Sequence, residues 1–251
     1  MLTTAIPNWV SILFLLSISI PIYMIANVAR QGAINAKLEP QKSSGIFMSI
    51  LLFFGLYFAY TSVLSFKGIF LENTLPPKIF FYTAFPLFAF LFLVISNLKV
   101  YKTIVQNVAL ESLVQVHLFR LIGIFFFITS AYDAIPTKFA LIAGIGDLTT
   151  ALTSIFVVSA IKNNKSYSKP LLIAWNIFGL LDIVSVLATA IITTKLSIAT
   201  GSQDLTAIGI FPFCLIPAFA PATIIFLHVS IFRKLGMEKK KVTLPKENYA
   251  I

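Results

Sequence analysis

Leu113-Val-Gln-Val-His117-Leu-Phe-Arg120-Leu-Ile-Gly123-Ile-Phe-Phe-Phe-Ile-Thr-Ser-Ala131 is the stretch on which the architecture turns. It is long enough to cross a bilayer, yet His117 and Arg120 interrupt it, and a strict hydropathy window scores such a segment low. Read as a surface segment, it leaves a chain of six spans. Read as a crossing helix, it gives seven. Seven is preferred, because Leu121 to Thr129 is apolar apart from Gly123 and nothing after Arg120 is polar enough to form a solvated face.

The rest of the chain supports a bilayer as its solvent. Of 251 residues, 58% are hydrophobic and 11% charged, with a mean hydropathy of +0.94, which leaves too little polar surface for an ordinary water-soluble domain. Apolar runs of about 20 residues recur along it. Besides 113–131, they cover 8–29, 45–66, 79–98, 139–161, 170–194 and 208–232. The expected fold is all-α, a single transmembrane domain of seven helices followed by a basic tail over 233–251. Connections are short, the longest running from Arg30 to Ser44, so no soluble domain fits between spans.

Lysine and arginine set the expected orientation, since short basic loops stay cytoplasmic. With the N-terminus outside, fourteen of them fall on the cytoplasmic side, against four (Lys67, Lys78, Lys138 and Lys195) on the other. This bias accounts for most of the net charge of +10 and argues against nucleic-acid binding. Lys239, Lys240 and Lys241 are placed to touch anionic lipid heads. The first span has no basic region before it and is too long for a signal-peptide core, so it reads as retained. Cys214, the one cysteine, falls in the seventh span and rules out an internal disulfide.

Three charges lie inside the apolar spans: Arg120, Asp147 and Asp182, each with a glycine three residues away, at Gly123, Gly144 and Gly179. At 100° per residue, Ala140, Ala143, Gly144, Asp147, Thr150, Ala151 and Ser154 share a stripe, with Leu141, Ile145, Leu148, Leu152 and Ile155 opposite. Small residues on one side and branched aliphatics on the other mark a helix packed on protein through its small face. Trp175, Gly179, Asp182, Ser185, Thr189 and Thr193 form the matching stripe of the next span. From the helical rise, Asp147 lies roughly 21 Å, Asp182 roughly 18 Å and Arg120 roughly 10 Å from the cytoplasmic end of its span. Each unpaired charge near the centre costs about 2.5 to 3.5 kcal/mol on insertion scales, so pairing is expected, and Arg120 is the one intramembrane cation available. One guanidinium cannot neutralise two carboxylates. The surplus negative charge makes Asp147 and Asp182 a candidate shared proton site, with Trp175 and Asn176 beside it as candidate ligand contacts. A static ion-pair network that fixes helix register is the competing reading.

His117 and His228 fall at matching depth, about 6 Å from their span ends by the same rise. That suits bis-histidine haem b ligation, or a redox or hydrolytic enzyme, as an alternative; an interfacial or hydrogen-bonding role is simpler. Two histidines are too few for a three-histidine zinc site without help from aspartates, and no metal is assigned. The seventh span has no interior lysine for a retinal Schiff base, and Pro212, Pro217 and Pro221 are expected to kink its outer half.

Gly144-Ile-Gly-Asp147-Leu and Gly179-Leu-Leu-Asp182-Ile share a G-x-x-D-[LI] pattern 35 residues apart. Phe139-Ala140 leading to Ala143-Gly144-Ile-Gly146-Asp147, and Trp175-Asn176-Ile-Phe-Gly179-Leu-Leu-Asp182, resemble motifs of a group of uncharacterised bacterial membrane proteins of seven spans. His228 is similar to a histidine in that group's last helix, whereas His117 is outside its pattern. The resemblance covers roughly spans four to seven and implies an inner-membrane setting, without any chemistry. The leading expectation is a proton-linked small-molecule transporter or ligand-responsive membrane protein, more a carrier or sensor than an enzyme. A structural accessory subunit is the third alternative. Its expected partners are the lipid bilayer, a small-molecule or proton ligand and, left open, further copies of itself; no nucleic acid and no cofactor other than the haem b alternative is expected.

Overall fold

The structure is a computed structural model that describes residues 6–243, and side chains as far as residue 238. Among the described residues it is all helical, without strands. We label the helices α1 (Asn8–Asn35), α2 (Pro40–Phe66), α3 (Phe80–Asn97), α4 (Lys99–Asn107), α5 (Leu110–Ala131), α6 (Thr137–Lys162), α7 (Ser168–Thr200) and α8 (Leu215–Thr243). All but α4 are long and apolar enough to cross a membrane. The segment carrying His117 and Arg120 is therefore one of seven such helices, and it is among the more enclosed of them. The side chains of Lys239, Lys240 and Lys241 lie outside the described residues.

Burial sorts the helices into a centre and a rim. Most of α8 is buried, because Ala218, Ala222 and other small residues let neighbours approach it from several sides. In contrast, α2 leaves most of its surface open, with Met48, Leu52 and Leu56 all exposed. Exposed aliphatics of that size are destabilising in water and unremarkable against lipid. α6 divides as its sequence stripe requires: Ala140, Ala143, Gly144, Asp147, Thr150, Ala151 and Ser154 are buried, and Leu141, Ile145, Leu152 and Ile155 are exposed. α7 departs from its stripe beyond Asp182. Ser185 is exposed, and both it and Thr189 donate to carbonyls of their own helix, so neither needs a partner across an interface.

Helix ends differ from the sequence boundaries where local chemistry intervenes. α1 and α2 are longer than their apolar runs and are joined by only a short turn, since the polar residues at their ends still extend the helices. Within the loop expected after α3, Lys99–Asn107 forms the separate helix α4. Tyr101 and Val105 are buried on its inner side while Lys102 and Gln106 are exposed. Asn35 Nδ2 donates to Asn107 O at 3.2 Å and Lys234 Nζ to Gln106 O at 2.7 Å, which holds the end of α4 between α1 and α8.

The largest correction concerns the last span. Sequence places its start at Ile208, but the helix begins at Leu215, after turns whose bonds run from Leu215 N to Pro212 O and from Ile216 N to Phe213 O. Pro212 has no N–H to give a helix and stays outside it, as does Cys214. Pro217 occupies the first turn, where amides lack intrahelical acceptors anyway, so only Pro221 is a true interior proline. Two tyrosine hydroxyls of α2 reach carbonyls of neighbouring helices. Pro86 cannot bond back to Tyr82 O, and Tyr60 Oη donates to that oxygen at 3.2 Å; Tyr57 Oη donates to Ala218 O in the first turn of α8 at 2.9 Å. Without water, such donors matter more than in a soluble helix. Tyr57→Phe should therefore lower the unfolding free energy by about 1 kcal/mol, measured by denaturation in detergent, with secondary structure unchanged.

Candidate functional site

Arg120 is fully buried, and its guanidinium connects four helices. Nε donates to Asp147 Oδ1 on α6 at 2.7 Å, and Nη2 pairs with Asp182 Oδ2 on α7. Nη1 lies 3.4 Å from Gly179 O on α7 and 3.4 Å from His228 Nε2 on α8. Both aspartates are buried as residues, though the Asp147 side chain retains 12% exposure against 5% for Asp182. One cation thus holds two anions in the interior and leaves a surplus of one negative charge.

Helix geometry explains why Arg120 can reach this position. Residues 116–123 within α5 wind as a 3-10 helix, at about 3.0 residues per turn, so positions three apart eclipse. His117, Arg120 and Gly123 accordingly line up on one edge, whereas α-helical winding would fan them out by about 60° at each step. All three are buried, and Leu121, off that edge, is exposed.

The glycines set how closely the helices meet. A Cβ at Gly123 would lie 2.6 Å from Asp147 Cβ and 2.9 Å from its Oδ2. At Gly146 it would strike the Asp182 carboxylate, and at Gly179 it would lie 2.5 Å from His228 Nε2. Asp147, Asp182 and His228 therefore each pack over the bare backbone of a neighbouring helix. Gly123 and Gly179 belong to the three-residue spacing visible in sequence; Gly144 instead receives the Phe127 ring. Gly146 was legible only as part of the motif.

Asn176 orients the histidine through both ends of its amide. Asn176 Oδ1 accepts from His228 Nδ1 at 2.7 Å, and Asn176 Nδ2 donates to His228 O at 3.0 Å. An amide oxygen can only accept, so Nδ1 carries the hydrogen and Nε2 presents its lone pair toward Arg120. Trp175 Nε1 donates to Thr150 O at 3.1 Å, whose own hydroxyl donates to Gly146 O at 2.9 Å. Asn176 is thus joined to the charge cluster through His228, while Trp175 braces α7 against α6.

The two histidines do meet, but ring against ring and tilted. Their ring centroids are 4.1 Å apart at 33°, and Trp175 packs edge-on against His117 at 5.2 Å. Haem ligation needs ring nitrogens aimed at one iron from opposite sides of a macrocycle. Here the rings contact each other directly, and among the described residues no hydrogen-bond partner faces either nitrogen of His117. Among the described residues, no three His, Cys, Asp or Glu side chains are grouped as a metal site.

An all-helical chain with seven membrane-capable helices and an ion-paired Arg-Asp-Asp interior defines the general class. Residues 76–236 match the family described as Domain of unknown function (DUF8737), more than half of the chain, and the chain belongs to that family. No curated protein matches it, and neither does any solved structure. The matched segment runs from just before α3 into α8 and includes every member of the charge cluster.

Removing one partner of such a network leaves an uncompensated buried charge, so Arg120→Met should cost about 3 to 5 kcal/mol. Gly146→Ala should also be strongly destabilising, whereas Gly55→Ala, with nothing within 4 Å of the added carbon, should be neutral or slightly favourable. Thermal unfolding of the purified variants in detergent checks all three.

Proposed function

We propose that this chain is a multi-pass membrane protein of the bacterial inner membrane, built as one domain with its N-terminus outside and its C-terminus in the cytoplasm. Its Arg120–Asp147–Asp182 cluster binds a proton whose loading is coupled to small-molecule transport or to a ligand response. Support for the orientation is the asymmetry of lysine and arginine, to which the cation-bearing α4 and the end of α8 contribute.

The observation that carries the reading is one guanidinium bridging carboxylates from two different helices. With both acids ionised, Arg120 ties α5 to α6 through Asp147 and to α7 through Asp182. Proton binding at either acid removes one of those ties and leaves a neutral pair with the other. The cluster then has two arrangements that differ in which helices are clamped, and a change in helix clamping is what coupling requires. His228, held by Asn176, adds a neutral acceptor toward the third arm of the guanidinium.

Asp147→Asn and Asp182→Asn each test this in proteoliposomes. Either substitution should abolish proton uptake linked to substrate flux, by at least about tenfold, while the protein still inserts and purifies as a folded species. Loss of assembly in both variants, with proton movement unaffected in any fraction that folds, would sink the proposal in favour of a structural accessory role.

A further inference from the structure

Three rings from three helices close over the charge cluster on one side. His117 on α5, Trp175 on α7 and His228 on α8 touch one another pairwise, with centroids 4.1 Å apart for the two imidazoles, 5.2 Å for His117 and Trp175, and 5.4 Å for Trp175 and His228. Both histidines are wholly buried and Trp175 is nearly so. Three residues further from the cluster on the same helices stand Val114, Leu172 and Ile231, buried in one apolar group with Val157 of α6. A layer of rings backed by a layer of aliphatic side chains thus separates Arg120 and its acids from the starts of α5 and α7 and from the end of α8.

Protons cannot pass this layer as it stands. His228 Nδ1 already carries a hydrogen, held on Asn176 Oδ1, and its other nitrogen faces the Arg120 guanidinium. A proton arriving at Nε2 would meet a cation, and the amide oxygen beyond Nδ1 is no base to take one onward. His117 packs against these rings, and among the described residues neither of its nitrogens has a donor or acceptor. A buried polar group without a partner is costly, and water reaching the ring would remove that cost. The opposite side of the cluster is filled by Phe125, Phe126, Phe139 and Phe213. Its buried Thr129 bonds carbonyls of its own helix, so water entering there would satisfy no stranded group among them.

We propose that His117, Trp175 and His228 form a gate between the charge cluster and the end of the bundle that the proposed orientation makes cytoplasmic, and that His117 exchanges ring contacts for water when the gate opens. The gate deepens the proton-site reading and rests on it for what passes through. His228 couples the two, because it packs in the gate and also presents Nε2 to Arg120 Nη1. Release of one acid by a proton lets the guanidinium shift, and the imidazole that faces it shifts in turn. Trp175 is braced on Thr150 O of α6, so α5 and α8 supply the moving rings.

The test uses the full chain in proteoliposomes that enclose a pH-sensitive dye, under an imposed pH gradient and without substrate. Wild-type vesicles should hold the gradient. His117→Ala removes one ring from the layer and should raise proton leak at least about tenfold. His117→Phe replaces the imidazole with an apolar ring of similar shape, so its vesicles should stay tight and its melting temperature in detergent should rise. Opening should also become rarer in this variant: deuterium exchange at the hydrogen on Cε1 of His228, read by peptide mass spectrometry, should slow at least about threefold. His117→Phe keeps the packing and so decides between outcomes even where His117→Ala does not fold. A folded His117→Ala that leaks no more than wild type, a leak or a lower melting temperature in His117→Phe, or His228 exchange unchanged by it would each overturn the gate. Adding Asp147→Asn and Asp182→Asn to His117→Ala separates the two readings. A leak that returns to the wild-type level supports both, and one that persists keeps the gate while refuting the acids as the proton site.

Discussion

A guanidinium with no access to water must find its partners within the protein, and that requirement organises the second half of this chain. Arg120 reaches Asp147, Asp182, Gly179 O and His228 Nε2, so α5, α6, α7 and α8 are all fixed relative to one planar group. Apolar packing alone discriminates weakly between helix registers in lipid, because tails and side chains are chemically alike. A fork of directed donors discriminates strongly: sliding α5, α6 or α7 by one turn would strand a charge, and sliding α8 would take the His228 acceptor away from the third arm.

Close approach is the second condition for this arrangement. The carboxylates and the imidazole occupy volume that a methyl group at Gly123, Gly146 or Gly179 would take. Those glycines act through helix-to-helix distance and not through backbone freedom, since none of them has a positive φ. The 3-10 winding of residues 116–123 acts in the same direction by stacking His117, Arg120 and Gly123 on one edge. Tight winding in mid-helix has poorer hydrogen-bond geometry, and here the ion pairs it permits offset that cost.

The bundle separates into a polar and an apolar half that meet at α8. On one face α8 offers His228 to the charge cluster; on another it offers Thr223 and Phe226 to a cavity formed largely with α1 to α4. Being enclosed on most sides, α8 cannot shift without moving both. Its interior proline and the turns before Leu215 make its N-terminal end the irregular part of the helix, while its C-terminal part is tied to α4 through Lys234 and Gln106 O.

Much of this was legible in the residues. Seven apolar runs, the small-residue stripe of α6 and the impossibility of leaving Arg120, Asp147 and Asp182 unpaired are all consequences of length, periodicity and the cost of burying charge, which act locally and are encoded locally. Other features depend on which helices become neighbours. Gly146 beneath Asp182, the packing of His117 on His228 and the fixing of His228 by Asn176 involve residues far apart in sequence. Periodicity gives the face a side chain occupies but not what stands opposite it, nor the local switch from α to 3-10 winding that brings Arg120 into line. Those were decided by packing in three dimensions, where one buried cation could be satisfied in only a few ways.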